Sequence, residues 1–118
     1  MSTKGIKTAI VSMLSEIGEG LTFVNLSKIK GFEGEDKLVL GDKNIFLWVG
    51  VSKNAITALD QLAADDIIDI VGTSELVYIA DGGGLEYPLA KSIRKYKSPR
   101  WLPSVINKGR MFAAHIDK

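Results

Sequence analysis

Apolar residues near the start of the chain recur at helical spacing. Ile6, Ala9, Ile10, Met13, Leu14 and Ile17 make one stripe over Gly5 to Ile17, which predicts an amphipathic helix. Gly18 and Gly20 end it. Leu21 to Ile29 predicts a short helix with Thr22 as its cap, Lys30 to Asp36 a loop, and Lys37 to Leu40 a short strand. Asp42 to Val51 holds the continuous apolar run Ile45 to Val49. Its length and composition favour a buried strand, whereas the downstream context favours a short helix.

Ser52 to Asp65 predicts a helix, with Ser52 as its cap and Ala55, Ile56, Leu59, Leu62 and Ala63 on the buried side. Ile67 to Val71 and Glu75 to Ala80 predict two strands joined through Gly72-Thr73-Ser74 as a hairpin. Asp81 to Gly84 is a glycine-rich turn. Pro88 suits a first helical turn, so Ala90 to Tyr96 is expected to be a helix, broken by Ser98-Pro99.

The order of these signals carries the functional reading. Gly50-Val51-Ser52, with Ile56 and Leu59 following at helical spacing, resembles the turn and second helix of a helix-turn-helix unit. A hairpin straight after it resembles the wing of a winged-helix domain. The resemblance is to the winged helix-turn-helix superfamily and covers about Gly5 to Ala80. It implies an α+β fold with an extra N-terminal helix and a winged-helix core over residues 1–84; beyond that core a basic helix and tail over 85–118 are expected to pack on or extend from the same domain. It also implies that Ser52, Lys53, Asn54, Thr57 and Gln61 face a DNA groove, where amides bond adenine edges and Lys and Thr reach bases or phosphates.

Charge adds a second candidate surface. The formal net charge is only +1. Yet seven cations against twelve carboxylates give −5 up to Gly84, and eight against two give +6 from Leu85 onward. That asymmetry suggests a site for an anion. On the expected helix, Lys91, Arg94 and Lys95 share one face, with Lys97 and Arg100 following; Tyr96 and Trp101 interleave and either stack on bases or pack on the core. The bland reading of these cations is a solvated helix face.

Inventory removes several classes. With no cysteine there is no disulfide, thiolate metal site or cysteine nucleophile, and one histidine, His115, excludes a zinc enzyme with several histidine ligands. Gly82-Gly83-Gly84 lacks the Lys-Ser/Thr ending of a phosphate loop, and Asp65, Asp66 and Asp69 do not have calcium-loop spacing. No membrane span or secretory signal is read, so the expected compartment is the cytoplasm.

The sequence therefore predicts a sequence-specific DNA-binding protein, a transcriptional regulator that is not an enzyme and needs no cofactor. Its expected partner is double-stranded DNA, bound as a homodimer paired through Gly5 to Ile17 and spare C-terminal apolar residues: Leu102, Val105, Ile106, Met111 and Phe112. The alternative is a protein–protein interaction module, or an accessory factor without direct DNA readout, whose surface is the Ser52 helix or the apolar run around Trp48.

Overall fold

A computed structural model describes residues 2–117, which form an α+β fold of five helices and two small sheets. Helix α1 spans Thr3–Ile17, capped by the Ser2 hydroxyl, which accepts from the Gly5 amide. It buries Ile6, Ile10 and Leu14. Gly18, at φ 102°, stops it in a conformation that only glycine adopts without strain. Helix α2, Phe23–Leu26, starts with a capping box between Thr22 and Asn25.

Strands β1 (Glu33–Val39) and β2 (Ile45–Val51) form an antiparallel hairpin. The 42–51 stretch therefore holds a strand, and no helix leads directly into Gly50. A second neighbour explains the choice: β4 (Arg100–Trp101) pairs in parallel along Ile45 and Phe46 on the other side of β2. A strand with partners on both sides and Ile45, Phe46 and Leu47 all buried reads as an unbroken apolar run. Gly50 does adopt a positive φ, 72°, but beside an irregularity of this hairpin, where Glu33 and Asp36 both oppose Val51.

Helix α3 spans Lys53–Ala64 with Ser52 as its cap, as expected. The Ser52 hydroxyl accepts from the Ala55 amide and donates to the Gly31 carbonyl, and its own amide donates to Phe32, so the helix start is tied to the chain entering the hairpin. Strand β3 (Ile68–Gly72) follows, but its partner is β5 (Ser104–Lys108), in antiparallel register from Ile68↔Lys108 to Gly72↔Ser104. On its far side β5 meets Leu21 through a bridge at Ile106.

Residues 75–80 are helix α4 (Glu75–Ala80), not the second strand of a hairpin. Ser74 caps it, Tyr78 is its buried residue, and β5 occupies the place beside β3. The expected helix over Ala90 to Tyr96 is also absent. The Ala90 amide donates to Trp101, and the Lys91 and Ser92 amides go to the Tyr96 hydroxyl, which leaves the segment irregular. Helix α5 (Phe112–Ile116) closes the described chain.

The main core joins the α1 stripe, Phe23, Leu26, the inner side of α3, Tyr78, Trp101, Ile106 and Phe112. Three of the apolar residues expected to be spare for a dimer, Val105, Ile106 and Phe112, are buried within this chain, so they offer no outer surface. Among the described residues, no helix is long and apolar enough to cross a membrane.

Candidate nucleic-acid interface

The five candidates on α3 do not form one free face. Ser52 is committed to capping. Asn54 and Gln61 lie along the seam with α1: the Thr3 hydroxyl donates to the Asn54 side-chain oxygen at 3.2 Å, and Lys7 Nζ donates to Gln61 Oε1 at 3.1 Å. Their side-chain oxygens are thus engaged within the chain. Lys53 and Thr57 are exposed, and Asp60 and Ala64 continue their line along the helix. Asp60 opposes phosphate on that stripe. At the helix end, Asp66 is held by Arg110 at 2.8 Å across an exposed surface.

The five C-terminal candidates lie on one irregular segment, not on a helix, and two of them, Arg94 and Arg100, meet at a single ring. Their frame is Tyr96, whose side chain is buried while Lys91, Arg94, Lys95 and Lys97 around it are exposed. The Tyr96 hydroxyl accepts from the Lys91 and Ser92 amides at 3.1 and 3.2 Å and donates to the Ser92 carbonyl at 3.1 Å. The guanidinium groups of Arg94 and Arg100 lie 4.7 and 5.0 Å from its ring centre, within cation–π range. The main chain of Tyr96 is pinned to the β1–β2 turn: its amide donates to the Lys43 carbonyl, and Asn44 Nδ2 donates to its carbonyl. This arc from Lys91 to Arg100 therefore rests on the hairpin tip.

The hydroxyl of Tyr96 is drawn down from the usual tyrosine range to about 8. The neighbouring Arg94 is the largest cause, burial opposes it, and the Ser92 and Lys91 backbone bonds add to the lowering. Arg100 donates to the Leu89 carbonyl at 3.2 Å, while its Nε is buried without a hydrogen-bond partner. Lys95 faces Asp42 at 3.5 Å, with both side chains largely in solvent, so the pair does little to neutralise the arc.

Trp101 packs edge-on against Tyr78 at 5.1 Å between ring centres, so it docks on the core and is not a stacking platform for bases. The sequence reading missed Tyr96 as the centre of the arc, along with the Lys43 and Asn44 contacts that anchor it. Only its aromatic character amid five cations pointed there. Among the described residues, no group of three or more histidines or carboxylates could hold a metal ion. No family model, curated protein or solved structure matches the chain.

Proposed function

We propose that this protein binds double-stranded DNA, chiefly through its phosphates, and acts as a transcriptional regulator. The observation that carries the reading is the arc itself. Lys91 to Arg100 holds five cations and no carboxylate, two of the cations lie against one buried ring, and among the described residues the acid paired with the segment is Asp42. Clustered cations on an exposed segment suit a phosphodiester backbone, which offers closely spaced negative charges without demanding base readout.

The order of elements supports a winged-helix scaffold of an altered kind. Helix α1, the bridging residue Leu21, α2, α3, β3 and β5 follow one another, with β5 between Leu21 and β3. That is the order of helices and strands in winged-helix domains, with the β1–β2 hairpin inserted between the two helices of the helix-turn-helix. The 73–103 connection takes the place of the wing and carries the arc. In this reading wing contacts to phosphate dominate, and Lys53 and Thr57 supply what groove contact α3 makes. A homodimer would set two such arcs on one duplex.

A second reading has its own observation. Leu76 and Ile79 lie three residues apart on α4 and are each 67% exposed, an apolar pair suited to a protein partner. The two readings separate in one titration: anisotropy of a labelled random-sequence duplex with rising salt. Phosphate contact predicts that log affinity falls linearly with log salt, by about 0.9 per phosphate neutralised. A slope near zero, or no duplex binding at low salt, overturns the DNA reading and favours the apolar pair. Sedimentation at micromolar concentration tests the dimer, and a monomer on and off DNA overturns it.

A further inference from the structure

We infer that Tyr96 is the positioning residue of the basic arc: its hydroxyl fills an oxyanion nest made by two consecutive amides, and its ionisation state decides how much of the Arg94 and Arg100 charge is offered to a polyanion. The inference rests on the reading of the arc as a phosphate-binding surface, and it adds to that reading both an organiser and a means of regulation.

The nest is unusual in what occupies it. Successive N–H groups that converge on one point normally form a concavity for an anion. Here Lys91 and Ser92 direct their amides at a neutral phenol oxygen of the same chain. Its own proton is donated in a hydrogen bond to the Ser92 carbonyl. Two guanidinium groups lie within cation–π range of the ring, and Tyr96's backbone is locked to Lys43 and Asn44. The side chains against the ring are both cationic, Arg94 from the arc and Arg100 from β4; Lys91 and, from the hairpin turn, Lys43 meet Tyr96 through their backbones, and Lys95 and Lys97 flank it in sequence. The one carboxylate of that turn, Asp42, is turned to Lys95.

Such surroundings favour the phenolate, consistent with a hydroxyl that ionises near 8. When the proton leaves for solvent, the arc loses one unit of net charge, and the phenolate holds Arg94 and Arg100 more tightly. Below that range the ring is neutral and the exposed Arg94 guanidinium remains available, with Arg100 adding its charge from a site where it also bonds the Leu89 carbonyl. Affinity for a phosphodiester should therefore be highest with the phenol protonated and should weaken through the mildly alkaline range, before lysines deprotonate.

The test begins with a spectroscopic titration of tyrosinate absorbance in the whole protein, which has three tyrosines. A phase near pH 8 that disappears in Tyr96→Phe supports the nest. If that variant does not fold, Arg94→Gln removes the largest cause of the lowered ionisation from an exposed site, and the phase should move upward. Duplex anisotropy between about pH 6.5 and 9 is then read at several salt concentrations. The wild-type salt slope should become shallower by about 0.9 at the alkaline end. Tyr96→Phe, which keeps the ring and loses the hydroxyl, should bind more weakly at neutral pH and show no such pH dependence. The inference is overturned if no tyrosine ionises below about pH 9, or if Tyr96→Phe retains the wild-type pH profile. A tyrosinate phase near pH 8 without duplex affinity at any pH leaves the nest assigned and overturns the DNA reading.

Discussion

The Tyr78 hydroxyl donates to the Ser104 carbonyl at 2.6 Å and accepts from the Phe23 amide at 3.1 Å. One buried side chain thus ties α4 to the start of β5 and the start of α2, three segments far apart in sequence. The Thr22 hydroxyl bonds Asp81 at the C-terminal end of α4, so the short helix is anchored at its middle and at its end.

Tyr78→Phe should leave the fold intact and lower stability by about 1–3 kcal/mol, since a buried carbonyl and a buried amide are each left without their partner. The alkaline behaviour is more specific. Burial is the main reason that the Tyr78 hydroxyl is pushed up to about 12, opposed by the Phe23 amide and assisted by the Asp81 charge. A raised folded value for an acid keeps its stabilisation whole below the unfolded value of about 10, and that stabilisation is lost as pH climbs toward 12. Urea unfolding at rising pH should show a loss of up to roughly 3 kcal/mol across that window, and Tyr78→Phe should flatten it. An equal alkaline loss in the variant would assign the effect to other groups.

Two glycines mark places where backbones meet. A Cβ on Gly34 would sit 2.5 Å from Ser52 Cα and 2.8 Å from its nitrogen, at the cap of α3. A Cβ on Gly109 would run into the Asp66 carbonyl group, 2.7 Å from its carbon, where the Met111 amide also bonds. Neither neighbour is a flexible side chain. Gly34→Ala and Gly109→Ala should each cost at least about 1–3 kcal/mol by overpacking, whereas Gly41→Ala, with open space around it but φ 57°, should cost only about 1 kcal/mol. Thermal unfolding of the three variants gives the order, and a Gly41 variant as damaged as the others would refute it.

What was legible in the chain follows from where the deciding contact lies. Helices α1 and α3 carry their own stripes and caps, so Ile6 to Leu14 and Ser52 to Leu62 specify them locally. The run Leu76-Val77-Tyr78-Ile79 suits a strand or a helix. The choice was made by β5, which takes the edge of β3 and arrives more than thirty residues after β3 ends. Lys91, Arg94 and Lys95 have helical spacing, but the helix needs amides that Tyr96 and Trp101 take. The basic character of the site was visible in the charge asymmetry; its shape depended on one hydroxyl whose role no periodicity records.

The arc makes a quantitative prediction. Lys91 and Lys97 are exposed, and neither side chain has an ion-pair partner among the described residues. Replacing both with Ala should leave stability unchanged within about 0.5 kcal/mol. It should also shallow the salt slope of duplex binding by the equivalent of about two neutralised phosphates, with all sequences weakened alike. Lys28→Ala with Lys30→Ala, which removes the same charge from the connection after α2, is the control. If the control changes the slope as much as the arc variant, binding follows net charge and the arc is not the site.

The last prediction separates the two sides of α3. Asn54 and Gln61 would be natural base-reading amides on a free recognition helix, but the oxygen of each is bonded by α1, from Thr3 and Lys7. A bidentate bond to adenine needs both the oxygen and the nitrogen of the amide. Engaging either residue with DNA therefore means first opening the seam between the helices. Lys53 and Thr57 are exposed on the adjacent line and need no such rearrangement. Asn54→Ala with Gln61→Ala should thus leave any site preference in place and cost little stability, since both positions are exposed. Lys53→Ala with Thr57→Ala should weaken a preferred site by about 1–3 kcal/mol for each base edge that is no longer read, and random duplex by less. Selection of preferred duplexes from a random pool, repeated with both double variants, decides between them. If the Asn54 and Gln61 variant abolishes the preference, the seam opens on DNA and those amides read bases. If neither variant changes it, α3 is not a reading helix and binding rests on the arc alone.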